Sequence, residues 1–100
     1  MVIIINSDNN VDTSAEFKTY FQGELEKDLK RFESYVTRYE VFFSDETSNK
    51  DTPGEIKCVI EARVKGKNPE RVSNHADTPK AAFDGAVSKM KTVLDKAVSK

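Results

Sequence analysis

The sequence predicts an α+β fold in which two helices pack on one face of a four-stranded mixed sheet. The chain opens with a β-branched run, later segments alternate apolar and polar residues, and two segments repeat apolar residues at three- and four-residue steps. These segments follow one another in the order β-α-β-β-β-α. The first helix then joins two parallel strands, and the later strands form an antiparallel meander. No linker or internal repeat divides the 100 residues, so we expect a single domain over residues 1–100.

The chain begins with a predicted strand and helix. Residues 2–5 form a continuous β-branched run of the kind found in buried strands. Thr13 and Glu16 match a capping box, and a helical period then continues over residues 14–32. Gly23 lies inside that helix, where glycine costs about 1 kcal/mol relative to alanine. We therefore expect either close packing or simple tolerance at Gly23.

Three further strands are predicted from alternation. Residues 36–44 alternate so that Phe42 stands on the face opposite the other apolar residues, which is the face that the helices leave open. Residues 45–54 are rich in turn-forming residues and predict a hairpin loop. Residues 55–65 alternate cleanly as a half-buried antiparallel strand, and residues 71–76 supply a short fourth strand.

The second helix is predicted to begin at Pro79. Thr78 provides an N-cap hydroxyl, proline suits the first helical position, and Asp77 places negative charge at the positive end of the helix dipole. The apolar stripe that follows consists of Ala82, Phe83, Ala86, Val87, Met90, Val93, Leu94 and Ala97. This periodicity predicts one amphipathic helix of roughly twenty residues lying over the sheet.

Composition limits the function classes. The net charge is −1, which argues against a strongly basic nucleic-acid binder. Residues 1–50 carry 6 Lys and Arg against 10 Asp and Glu, whereas residues 51–100 carry 10 against 7, so positive charge is concentrated late. The chain has no long apolar run and no basic-flanked signal sequence, and we expect a cytoplasmic protein with no membrane partner.

The sequence offers little for catalysis or metal binding. One cysteine and one histidine make an internal disulfide impossible and a zinc cluster implausible, so we expect no metal and no cofactor. His75 lies near Asp77, but no nucleophile or oxyanion donor accompanies them. Cys58 falls on the inward face of its strand, where cysteine is usually a small buried residue. We expect no enzymatic activity and no small-molecule substrate.

Lysine and arginine residues of the second half are the candidate RNA-binding site, because they can neutralise phosphates and release counterions. The candidates are Lys57, Arg63, Lys65, Lys67, Arg71, Lys80, Lys89, Lys91 and Lys96. Arg63 and Arg71 are the strongest, since a guanidinium can grip a phosphate with two hydrogen bonds. The alternative is that these charges form an ordinary solvated surface.

Three stretches resemble the ribosome hibernation-promoting factor family, also called the ribosome-associated translation inhibitor family. They are TRYEVFFSDE at residues 37–46, CVIEAR at residues 58–63 and NHADTPKAAFDGAVSKM at residues 74–90. The last is the most telling, because it is similar to the family's pattern of a strand, an aspartate, an alanine pair, a second aspartate, an alanine and a lysine. The likeness spans nearly the whole chain.

The resemblance implies a fold similar to a double-stranded-RNA-binding domain and a role in stress or stationary phase. It implies binding to the 30S ribosomal subunit and its 16S rRNA, in the channel where mRNA and tRNA anticodons lie, and inhibition of translation by steric occlusion. No reaction is catalysed by such proteins. Longer relatives carry a second domain that pairs ribosomes, and we expect this chain to lack one.

A protein-interaction module on the same fold is the competing hypothesis. The open sheet face would bear Phe42 and Val59, and a weak homodimer could form through that face with ribosome binding lost. High salt would separate the two hypotheses, because phosphate contacts weaken steeply with ionic strength and an apolar contact does not.

Overall fold

The computed structural model describes residues 1–46 and 55–98. Its elements are β1 (Val2–Ser7), α1 (Ala15–Asp28), a 3₁₀ helix (Lys30–Phe32), β2 (Val36–Asp45), β3 (Ile56–Val64), β4 (Glu70–Ala76) and α2 (Pro79–Val98). The predicted β-α-β-β-β-α order is confirmed. The part of the predicted loop that spans residues 47–54 lies outside the described residues.

The four strands form one mixed sheet in the order β1-β2-β3-β4. β1 and β2 are parallel, and the two later pairs are antiparallel. One row of the register joins Ile5, Val41, Ile60 and Val72 across the covered face. The parallel pair requires a crossover, which α1 supplies, and the antiparallel pairs require only hairpins.

Both helices cover the same face of the sheet. α1 packs over β1, and α2 packs over β3 and β4. Phe21 of α1 lies 4.8 Å from Phe43 of β2 and 4.9 Å from Phe83 of α2, measured between ring centroids. Because aromatic pairs add about 0.5–1.5 kcal/mol beyond the area they bury, this cluster fixes both helices against the sheet.

α2 lies especially close to β4 at one point. Asn74 of β4 donates its side-chain amide to the Ala82 carbonyl at 3.3 Å. A Cβ at Gly85 would overlap that amide, so glycine at this position lets the amide keep its bond to Ala82. The Thr78 hydroxyl accepts the Ala81 N–H at 3.1 Å, which confirms Thr78 as the N-cap of α2.

The ends of α1 differ from the prediction. Ser14 caps the helix instead of Thr13: its hydroxyl accepts the Phe17 N–H at 3.1 Å. The start shifts by one residue because the Asp12 carboxylate accepts the Ser14 N–H at 2.8 Å and holds the preceding turn. The α-helix ends at Asp28, and the tighter 3₁₀ helix places Leu29 and Phe32, three residues apart, together in the core.

β1 differs in length and position. It continues to Ser7, two residues beyond the predicted run, and it is an edge strand. Val2 is 54% exposed and only Ile5 of this strand is buried. A β-branched run indicates a strand but does not tell whether a second strand lies on each side of it.

Within the two described ranges, neither helix is long and apolar enough to cross a membrane.

Candidate nucleic-acid interface

The nine predicted cations lie on two surfaces that meet at the β4 edge. Lys57, Arg63 and Arg71 point to the open face of the sheet, because each alternates with inward-facing neighbours on its strand. Lys65 and Lys67 flank the β3–β4 hairpin turn, where Gly66 has a φ of +69°. The remaining four, Lys80, Lys89, Lys91 and Lys96, lie on α2.

The C-terminal end of α2 returns to the β3–β4 hairpin. A short connection follows β4, so α2 runs back along that strand. Ala97 and Val98 consequently line the same surface depression as Lys65 and Lys67. We refer to this part of the molecule, where the hairpin and the last turn of α2 meet, as the hairpin end.

The lysines of α2 lie on opposite flanks of the helix. Lys89 and Lys96 are seven residues apart and therefore share one flank. The Lys89 ammonium donates to the Ser73 carbonyl of β4 at 2.8 Å, so this flank adjoins the β4 edge. Lys80 lies on the other flank, 4.0 Å from Glu24 of α1, and Lys91 shares that side by its spacing.

Six of the nine cations lie on β3, the hairpin, the β4 edge and the flank of α2 next to that edge. We call this set the basic rim; its members are Arg63, Lys65, Lys67, Arg71, Lys89 and Lys96. Within residues 1–46 and 55–98, no salt bridge involves any of the six. Lys89 bonds a neutral backbone carbonyl, and that contact does not offset its positive charge. Glu61 stands opposite Arg71 in the register and moderates the local field.

The other three predicted cations lie outside the rim. Lys57 is 3.9 Å from the Glu46 carboxylate. Lys80 bonds both oxygens of Asp84, at 2.7 and 2.9 Å, and this contact raises the pKa of the lysine. Lys91 is half-buried on the α1 side of α2. The structure therefore separates the nine candidate cations into the six of the basic rim and these three.

Two charge contacts near the rim are absent from the sequence prediction. Arg38 of β2 stands directly opposite Arg63 and is held by Glu40 at 3.1 Å. Arg31 grips both carboxylate oxygens of Asp95, at 2.7 and 3.1 Å, which lowers the pKa of the aspartate. The pair neutralises Asp95, so the last turns of α2 are more positive than their sequence indicates. Arg38 lies far from Arg63 in the chain, and Arg31 lies far from Asp95, so local spacing gives no signal of either proximity. Arg38 and Glu40 are two residues apart on β2 and share one face.

Cys58 and His75 lie in different environments. The Cys58 thiol is buried, and burial raises its pKa to about 12, so it stays protonated and unreactive at neutral pH. His75 is exposed, with Nε2 3.2 Å from a Glu46 carboxylate oxygen. In the described part of the chain, no three His, Cys, Asp or Glu side chains are grouped as metal ligands. The exposed cations of the basic rim suit electrostatic binding.

Comparison with known proteins places these observations in a family. Residues 3–100 match the profile of the Sigma 54 modulation protein / S30EA ribosomal protein family. The fold is similar to a ribosomal subunit interface protein from Coxiella burnetii, with a TM-score of 0.73, 19% identity and full coverage of both chains. It is also similar to the N-terminal domain of Protein Y from Thermus thermophilus, with a TM-score of 0.69, 20% identity and coverage of 96% of this chain and 98% of that one.

The two solved structures establish a shared fold, and the family profile covers nearly all of the sequence. A search of curated proteins finds no match. The chain belongs to the Sigma 54 modulation protein / S30EA ribosomal protein family.

Proposed function

We propose that this chain is a non-catalytic, cytoplasmic, ribosome-associated factor that docks on the 30S subunit near the decoding channel and inhibits translation by excluding mRNA and tRNA. The family description names a ribosomal protein, and the similar Coxiella burnetii structure is described as a ribosomal subunit interface protein. The observation that carries the proposal is the basic rim, which gathers six cations along one edge of a molecule whose net charge is only −1.

The basic rim suits the phosphate backbone of folded RNA. Cations without carboxylate partners can neutralise phosphates at little cost, because no existing ion pair has to be broken. Arg63 and Arg71 project from adjacent strands and can each form two hydrogen bonds to a phosphate. Recognition of this kind reads the shape and backbone of folded RNA more than its bases.

Occlusion follows from size. The molecule measures 47 × 25 × 19 Å along its principal axes. A rigid body of these dimensions, seated on rRNA in the channel, would occupy the volume that mRNA and the tRNA anticodon stem need. No reaction is required for inhibition, only affinity.

A competition experiment tests the proposal. Labelled mRNA and initiator tRNA are bound to 30S subunits, and their displacement is followed as the protein is added. We expect displacement by the wild type and little displacement by the rim variant Arg63→Glu, Arg71→Glu, Lys89→Glu. The matched control, Lys18→Glu, Lys27→Glu, Lys30→Glu, makes the same change in charge on α1 and the 3₁₀ helix that follows it, and it should displace like the wild type. Equal loss of displacement in the two variants would show that net charge, and not the rim, governs binding.

The open sheet face supports a second candidate, a homodimer. Phe42 is 44% exposed in the middle of this face and stands opposite Val59. Sedimentation equilibrium of the wild type and of Phe42→Ser measures the oligomeric state of each. A dimer that dissociates in the Phe42 variant, together with no binding to 30S, would favour the interaction module over the ribosome factor.

A further inference from the structure

We propose that the hairpin end holds one nucleotide of single-stranded RNA, with its base stacked on Tyr35 and its phosphate bound by Lys65 and Lys67. The inference rests on the proposed function, which brings RNA to this end of the molecule. It adds a site for an unpaired base to a surface that otherwise contacts only backbone phosphates.

A depression of about 230 Å³ lies between the β3–β4 hairpin and the end of α2. Val64, Ala97 and Val98 supply apolar lining. Ser34, Tyr35, Lys65 and Lys67 supply the rest of it, including one aromatic residue and two lysines. The volume is below the roughly 300–1,000 Å³ of pockets that hold drug-sized ligands. It therefore suits a single flat ring with a neighbouring anion.

Tyr35 differs from Tyr20, the other exposed tyrosine of the described chain, in its ring contacts. Its side chain is 46% exposed, and no aromatic ring or arginine of the described residues packs against it. Tyr20, at 48% exposure, instead packs edge-on against Phe21 at 5.0 Å. The Tyr35 backbone is fixed, because its N–H donates to Phe32 and its carbonyl accepts the Lys65 N–H, both at 2.9 Å. A fixed backbone thus holds a half-exposed tyrosine in the lining of the depression.

Lys65 and Lys67 place two charges beside that ring. They flank Gly66, whose positive φ makes the turn, and the Lys67 N–H donates to the Val64 carbonyl at 3.2 Å. No salt bridge engages either ammonium in residues 1–46 and 55–98. Cations alone would fit any anion, but a half-exposed aromatic ring with apolar lining next to them fits a base joined to a phosphate. An acidic peptide offers the charge without the flat ring.

The test measures binding of a fluorescently labelled adenylate tetranucleotide by anisotropy at low salt. We expect Tyr35→Leu to weaken binding roughly 5- to 150-fold, which is the range expected for loss of one base–aromatic stack. Tyr35→Phe keeps the ring and should bind like the wild type. Tyr20→Leu removes an equally exposed tyrosine away from the depression and should also bind like the wild type. The double variant Lys65→Gln, Lys67→Gln should lower the magnitude of the salt slope by about 0.7, as expected for loss of one single-strand phosphate contact.

Several results would overturn the site. They are wild-type affinity in Tyr35→Leu, equal losses in Tyr35→Leu and Tyr20→Leu, or binding of an aspartate tetrapeptide as tight as that of the tetranucleotide. Co-sedimentation of the wild type with 30S subunits reads the proposed function separately. If it fails while Tyr35-dependent binding persists, the proposed function falls and the site stands. If it succeeds while tetranucleotide binding ignores Tyr35, the site alone falls.

Discussion

At the scale of single residues, two helical glycines have opposite roles. A Cβ at Gly23 would meet open space on the exposed side of α1, whereas a Cβ at Gly85 would overlap the Asn74 amide. Glycine in a helix costs about 1 kcal/mol relative to alanine, so that cost is recoverable only where a methyl group fits.

We predict that Gly23→Ala raises the free energy of unfolding by about 0.5–1 kcal/mol. Gly85→Ala should lower it by about 1–2 kcal/mol, because Asn74 must move and lose its bond to the Ala82 carbonyl. Urea unfolding followed by circular dichroism measures both. In an Asn74→Ala background the overlap is gone, and Gly85→Ala should become neutral or stabilising. A Gly85→Ala penalty that survives in that background would contradict the assigned overlap.

Two buried acids make stability sensitive to alkali. Burial raises the pKa of Cys58 and of Tyr39 to about 12, from ordinary values of 9.0 and 10.0. Above pH 9 the unfolded chain loses protons that the folded chain retains, so stability should fall with rising pH, by up to about 1.4 kcal/mol per pH unit for each group. Below pH 8 both groups are protonated in the folded and the unfolded chain, so neither makes stability depend on pH.

Urea unfolding at pH 7, 9, 10 and 11 tests this dependence. Tyr39→Phe should flatten the decline above pH 10, and Cys58→Ala should flatten it from pH 9, although the cavity it leaves lowers stability at every pH. Identical pH slopes in the wild type and both variants would refute the role of burial.

At the scale of elements, the start of α1 shows how a local motif is chosen. Thr13 and Glu16 satisfy the capping-box pattern, yet Ser14 makes the cap because Asp12 holds the Ser14 N–H. Both readings fit the sequence, and only the turn before the helix decides between them.

We predict that Ser14→Ala lowers the free energy of unfolding by about 1 kcal/mol, the usual cost of losing an N-cap hydroxyl. Thr13→Ala, one residue away, is the matched control and should change it by less than about 0.5 kcal/mol. Thermal unfolding of the two variants under the same conditions gives the comparison. The reverse ranking would restore Thr13 as the cap.

The strands and helices follow from sequence because their patterns are local. The clean alternation of residues 55–65 predicts β3 to within one residue at each end, and Thr78 with Pro79 predicts the start of α2. The degree of burial of β1 cannot be predicted from its sequence, because the strands that could flank it come from distant parts of the chain. The same reason explains why the nine candidate cations could be named, while the Lys80–Glu24 contact and the Arg31–Asp95 pair could not. The Lys80–Asp84 pair is local, and its four-residue spacing on α2 could have indicated it.

At the scale of the whole molecule, the fold decides where charge is concentrated, which the net charge alone does not show. A net charge of −1 gives no attraction for RNA, but the basic rim collects six cations while Lys57 and Lys80 are neutralised elsewhere. A local field of this kind can attract a polyanion even when the molecule as a whole is slightly acidic. Binding by such a field is governed by ionic strength.

The salt dependence of 30S affinity tests the account most directly. Six phosphate contacts predict that the logarithm of the association constant falls against the logarithm of salt concentration with a slope of about −5. The variant Arg63→Glu, Arg71→Glu, Lys89→Glu should bind more weakly, with a slope shallower by about 3, while the control Lys18→Glu, Lys27→Glu, Lys30→Glu keeps the wild-type slope. Co-sedimentation across a salt series measures all three. Affinity that is independent of salt, or no binding even at low salt, would contradict the basic rim as the ribosome-binding surface.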